Sequence, residues 1–138
     1  MATAKYTTPT ALSSNLVTTE LDSLANAGET ALITYDNSTN KDLYASVTVK
    51  LGSITPTTGG SISLRVYVSD GTNVSDKNAG MDVYTQPLLT GASAKVVIFP
   101  FVRLYPLSCR LTVTNNAGVS FAAASNGVYI RPYNEEIV

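Results

Sequence analysis

Leu43-Tyr44-Ala45-Ser46-Val47-Thr48-Val49-Lys50-Leu51 alternates apolar and polar side chains over nine consecutive positions. Successive side chains of an extended chain point to opposite faces, so this stretch reads as a strand with Leu43, Ala45, Val47, Val49 and Leu51 on a core face. Tyr44, Ser46, Thr48 and Lys50 then face the other way. Working outward, Ile62, Leu64, Val66 and Val68 repeat the pattern against Ser61, Ser63, Arg65, Tyr67 and Ser69. Cys109, Leu111 and Val113 do so against Arg110, Thr112 and Thr114. Residues 94–99 (AKVVIF) are apolar on both faces toward their end, which predicts a strand covered on both sides. Residues 31–35, 119–122 and 128–131 complete the set, with 81–84 a shorter candidate, about eight strands in all.

Between these runs lie 36–40 (DNSTN), 56–60 (PTTGG), 70–71 (DG), 115–118 (NNAG) and 125–127 (SNG). Asn, Asp and Gly tolerate the positive φ of tight turns at little steric cost, so each marks a reversal of the chain. Strands at this spacing without intervening helices predict an all-β fold, an antiparallel β-sandwich of jelly-roll-like type. Residues 1–13, Thr- and Ala-rich around Pro9, show neither period and are expected to form an extended N-terminal arm. Ser13-Ser14-Asn15 ahead of Leu16, Val17, Leu21 and Leu24, with Gly28 beyond, predicts a short helical turn before the first strand. The β-branched Val17-Thr18-Thr19 holds it to one or two turns. The expected organisation is therefore an arm and short helical segment over 1–28 and a sandwich domain over 29–138.

Charged residues make up 14% of the chain against about 25% in an average domain, so the expected surface is polar but weakly charged. Nine Lys and Arg balance ten Asp and Glu, leaving no excess of positive charge for a phosphate backbone or an anionic lipid surface. Neither nucleic acid nor a membrane is expected as a partner, whereas a charge near zero permits self-association. The opening residues Met1–Lys5 lack the apolar core of a signal peptide, and no apolar run approaches the roughly 18 residues of a membrane span. Synthesis and first folding in a cytoplasm are expected.

With no histidine and one cysteine, the chain lacks the usual general base of nucleophile systems and cannot build a Cys/His metal site by itself. Cys109 falls on an apolar face and reads as a small buried hydrophobe. The stretch from Asp70 to Asp82 is rich in oxygen ligands but matches no calcium loop and lacks its closing Glu, so it reads as a solvated turn. Asp36, Asp42 and Glu29 are the carboxylates from which a glycosidase pair could be drawn, though sequence cannot place two of them the required ~5–9 Å apart. Gly59, Gly60 and Gly71 precede no helix, so they form no phosphate loop. No enzymatic activity, cofactor or metal is expected. The residues singled out for a partner interface are Lys5, Tyr6, Pro9 and Leu12 on the arm, and Tyr44, Tyr67, Tyr129 and Tyr133 on polar strand faces. Exposed aromatics there can fill a protein contact or stack on sugar.

Residues 115–123 (NNAGVSFAA) and 126–136 (NGVYIRPYNEE), together with 36–45 (DNSTNKDLYA) and the segment Ser13–Gly28, resemble a family of small virion structural proteins of tailed bacteriophages. The resemblance spans most of the chain. It implies a capsid decoration, or cement, protein on the outside of the head, often a trimer, bound to the major capsid protein or another virion protein, with no catalytic residues to carry over. The family also includes tail and fibre components, and a head-to-tail component and a carbohydrate-binding module are the other readings.

Overall fold

A computed structural model describes residues 1–76 and 82–138. The described elements are all strands: β1 (Ala4–Tyr6), β2 (Ile33–Asp36), β3 (Tyr44–Ile54), β4 (Ser61–Tyr67), β5 (Asp82–Pro87), β6 (Ser93–Arg103), β7 (Ser108–Asn116), β8 (Gly127–Tyr133) and β9 (Glu135–Ile137). They form a four-stranded sheet ordered β2-β7-β4-β5, a three-stranded sheet ordered β6-β3-β8, and a two-stranded ribbon β1-β9, all antiparallel.

The alternation that predicts strands also sets which side chains meet. Val47 and Val49 from β3, Phe99 from β6 and Ile130 from β8 face Ile62, Leu64 and Val66 from β4 and Leu111 and Val113 from β7 in one apolar cluster. The larger sheets therefore pack sandwich-like around one core. Each buried aliphatic or aromatic side chain contributes about 1.5–3 kcal/mol of transfer free energy relative to exposure. Leu43 falls just outside the strand it was expected to begin and is half exposed.

Two elements differ from expectation. The short helical turn is absent: residues 14–28 form bends and turns, with Ser23 and Ala27 at φ of 54° and 65°. Those left-handed residues break any helical ladder, and the backbone bonds outward instead, from Ser23 N–H to Ala122 O and from Ala27 N–H to Asn115 O. Residues 119–122 are likewise no strand. Phe121 is pulled into the core, its N–H donates to Leu24 O, and Asn115 Nδ2 donates to Leu24 O and Val119 O. These two irregular segments hold each other across one end of the sheets, with Asn126 Nδ2 reaching Asp22 Oδ1 at 2.7 Å. The loop passes so close to β3 that a Cβ on Gly52 would stand 2.5 Å from Ala124 O. Of the candidate strand 81–84, Met81 lies outside the described residues and the rest opens β5.

The N-terminal arm, expected to be extended, runs along the edge of β8. N–H groups of Thr7, Thr10, Ser13 and Leu16 donate to the carbonyls of Asn134, Pro132, Ile130 and Val128 at 2.8–3.0 Å. Three arm residues advance for every two of β8, so side chains take the acceptor role that strand carbonyls would fill: Ser13 Oγ accepts from Ile130 N–H and Asn15 Oδ1 from Val128 N–H. Beyond Thr7 the spacing becomes regular and β1 pairs with β9.

Candidate partner-binding face

Cross-strand registers place four rows of side chains on the outward face of the three-stranded sheet: Val96 with Lys50; Ile98 with Thr48 and Tyr129; Ser46 with Arg131; and Arg103 with Tyr44 and Tyr133. The pairing of β3 with β6 slips between Ala45 and Val47, and the bulged residues Pro100 and Phe101 are both exposed there. A bulge of this kind re-aims a side chain that regular alternation would send inward. β6 is an edge strand, and Val96, Ile98 and Phe101 keep 63%, 52% and 58% of their surface in solvent. The strand expected to be covered on both sides is thus covered by its own chain on one.

At the end of this stripe the Tyr6 ring of the arm reaches over the sheet. Tyr6 meets Tyr133 edge-on with ring centres 5.5 Å apart, Tyr44 stacks on Tyr133 at 5.7 Å, and Phe101 lies 6.2 Å from Tyr6. Such pairs add about 0.5–1.5 kcal/mol each beyond the area they bury. Tyr133 donates its hydroxyl to Pro100 O at 3.0 Å, and burial, with smaller contributions from Tyr6, Tyr44 and Glu135, pushes its phenol upward. Tyr6, Pro9, Ser46, Pro100, Phe101 and Tyr133 line a groove of about 240 Å³.

Tyr6, Pro9, Tyr44 and Tyr133, four of the residues singled out from sequence, are thereby brought together. Lys5 pairs with Glu136 at 3.4 Å on the adjoining ribbon, Leu12 is exposed further along the arm, and Tyr129 lies under Lys50, whose Nζ is 4.9 Å from the ring centre. The expectation of exposed tyrosines is corrected at two positions. Tyr133 is 7% exposed because Tyr6 and Phe101 pack on it, and Tyr67 is 2% exposed on the other sheet. Sequence reading missed Val96, Ile98 and Phe101 as surface residues; the signal for the first two was the doubly apolar run 94–99, whereas Phe101 is turned outward by the register slip.

The middle of the outward side of the four-stranded sheet is covered from within, while Val83 on the β5 edge, opposite Arg65, stays 53% exposed. Glu29 Oε1 accepts from the hydroxyls of Tyr67 and Thr112, its Oε2 lies 3.8 Å from Arg65 Nη1, and Ser63 and Thr85 share a hydrogen bond of 3.0 Å. The three carboxylates considered for a glycosidase pair belong to separate networks. Asp36 accepts from Ser38 N–H, Asp42 from Asn134 Nδ2, and Glu29 from the hydroxyls just named. Asp70 accepts from the N–H groups of Asn73 and Thr72 and from Asn73 Nδ2, an Asx turn that holds its carboxyl down to about 2. No cluster of three potential metal ligands occurs among the described residues; residues 77–81 of the acidic stretch lie outside them. Cys109 is fully buried, its Sγ lies 3.3 Å from Tyr105 N and O, and burial pushes the thiol upward, away from the reactive thiolate.

No protein-family model matches this sequence, and no curated protein matches it. Among solved structures, the chain is similar to the enzymatically active domain of bacteriophage CBA120 tailspike protein 4, at 12% identity and a TM-score of 0.36, covering 99% of this chain and 19% of that one. A likeness at that level carries no argument about function.

Proposed function

We propose that this chain is a non-enzymatic virion structural protein built on a jelly-roll-like sandwich, which attaches to a phage particle through the open face of its three-stranded sheet. The narrower form of the reading is a decoration protein on the outside of the capsid, bound to the major capsid protein and itself a homo-oligomer, with a trimer favoured by the family it resembles. The observation that carries attachment is the continuous row Val96, Ile98 and Phe101, each more than half exposed and leading into the Tyr6–Tyr133 cluster. Contiguous apolar surface rimmed by polar groups marks an interaction site, and a long exposed apolar edge strand invites pairing unless it is covered. Many copies of one modest contact on a lattice hold together through high effective concentration.

The test mixes the purified full chain with phage heads and, separately, with tails, both assembled without it, pellets the particles and counts bound copies. Saturation at hundreds of copies per capsid, lost in Val96→Ser/Ile98→Ser, is the expected result. Saturation at tens or fewer would place the protein at a tail, fibre or connector, and absence from pelleted heads and tails alike would overturn the virion reading.

A further inference from the structure

Charge is distributed unevenly over the fold. The sequences of β3, β6 and β8 contain Lys50, Lys95, Arg103 and Arg131 and no carboxylate, although the chain as a whole carries ten. Lys95 is 7% exposed and donates to Gly91 O and Ser93 Oγ, whereas Lys50, Arg103 and Arg131 are exposed on the outward face. These three cations border the apolar row: Lys50 stands opposite Val96, Arg103 follows Phe101 along β6, and Arg131 lies across Ser46 from the bulge. The strand that carries the row is an edge with β3 as its neighbour in the sheet, and near one end the Arg103 N–H is taken by the Tyr84 hydroxyl at 3.0 Å.

We infer that the occupant of this face is an extended segment of a partner protein, apolar on one side and carrying carboxylates on its flanks, laid along β6. The inference rests on the attachment reading and names the chemistry of its partner. Aliphatic side chains such as Val96 and Ile98 gain little against a hydroxyl-rich saccharide or a phosphate backbone, but they gain by burial against a protein's apolar side chains. A second copy docking through the same face would set Lys50, Arg103 and Arg131 against their own counterparts, which like-charge repulsion disfavours. Carboxylates on the partner turn the same three groups into specificity determinants, and an edge strand can accept an extended segment alongside it.

Isotope-labelled full chain is titrated, with amide shifts followed by NMR, with a synthetic Val/Glu peptide in which a stretch of alternating Val and Thr is flanked by Glu at both ends, a matched Val/Lys peptide with Lys in place of Glu, and hyaluronan as an acidic polysaccharide. The expected result is perturbation centred on residues 93–103 by the Val/Glu peptide alone. That affinity should fall about fivefold in Lys50→Glu/Arg131→Glu, as two modest surface ion pairs imply, with the native fold retained in the NMR spectrum. Equal binding of the Val/Lys peptide, stronger binding of hyaluronan, perturbation away from β6, or no binding overturns the inference. Capsids that bind the chain while the Val/Glu peptide does not would defeat this inference and leave the attachment reading standing. A peptide that binds while no particle does would defeat the attachment reading instead.

Discussion

Both large sheets present an outward face, and the chain finishes them differently. On the four-stranded sheet, Tyr67 and Thr112 turn outward and are nonetheless buried, because Glu29 reaches over them and accepts both hydroxyls while Arg65 stands beside it. On the three-stranded sheet the comparable positions hold Val96, Ile98 and Phe101, which stay more than half in solvent. Tyr67 and Thr112 are satisfied from within, although among the described residues the buried Thr114 Oγ1 and Arg65 Nε on that face have no hydrogen-bond partner and Val83 at its β5 edge is 53% exposed, whereas the three-stranded sheet carries its exposed apolar side chains in one row. Ordinary folding economy predicts the reverse, since polar groups can be left to water at little cost whereas exposed aliphatic surface gains by burial.

The largest effect that would sharpen this contrast lies within a single strand. Phe99 and Ile98 are sequence neighbours on β6 pointing to opposite sides, 1% and 52% exposed. Phe99→Ala should cost about 3–5 kcal/mol by loss of transfer free energy and creation of a cavity, while Ile98→Ala should stay within about 0.5 kcal/mol as a surface change. Urea unfolding of the two variants measures both, and comparable losses would mean that the outward face is packed after all.

A middle-sized effect concerns the four-stranded sheet. Glu29→Ala leaves the Tyr67 and Thr112 hydroxyls without their acceptor, and it should destabilise the fold by about 1–3 kcal/mol, the cost of stranding buried polar groups. The same unfolding assay reads it; a loss no larger than that of Ile98→Ala would erase the distinction between the faces.

The smallest effect lies in the turn beyond β4. Asp70 is held at about 2, below its ordinary 3.8, by Asn73 N–H first, then Asn73 Nδ2 and Thr72 N–H. A carboxyl depressed in the folded state contributes stability that is fully present above its unfolded pKa and lost as pH falls through the folded one. Its contribution should therefore fade between about 3.8 and about 2. Carboxyl chemical shifts followed by NMR should show a midpoint near 2 for Asp70, and a midpoint near 3.8 would dissolve the turn network.

Most strands were legible because apolar and polar residues alternate in sequence along β3 as far as Leu51, along β4, along β7 as far as Thr114 and along β8 as far as Arg131. Residues 119–122 carry the same pattern and form no strand, since Phe121 enters the core from a loop whose backbone bonds are taken by Leu24 O and Asn115 Nδ2. Tyr44 and Tyr67 occupy equivalent polar positions in the sequence, yet one stacks on Tyr133 at the surface and the other is sealed under Glu29. The period-three bonding of Thr7, Thr10 and Ser13 to β8 was equally hidden, because a hydroxyl that will replace a strand carbonyl looks like any polar residue until its partner is known.

By itself, the sequence determined the all-β character, the places where the chain turns and the inward set of most strands, because these follow from steric and hydrophobic patterns between near neighbours. Tertiary structure alone decided where the arm lies, which tyrosines are sealed, and which side of residues 94–99 meets the core. Periodicity distinguishes the two faces of a strand, but coverage depends on which distant segments stack upon it, and on β6 the chain covers one apolar face and leaves the other exposed.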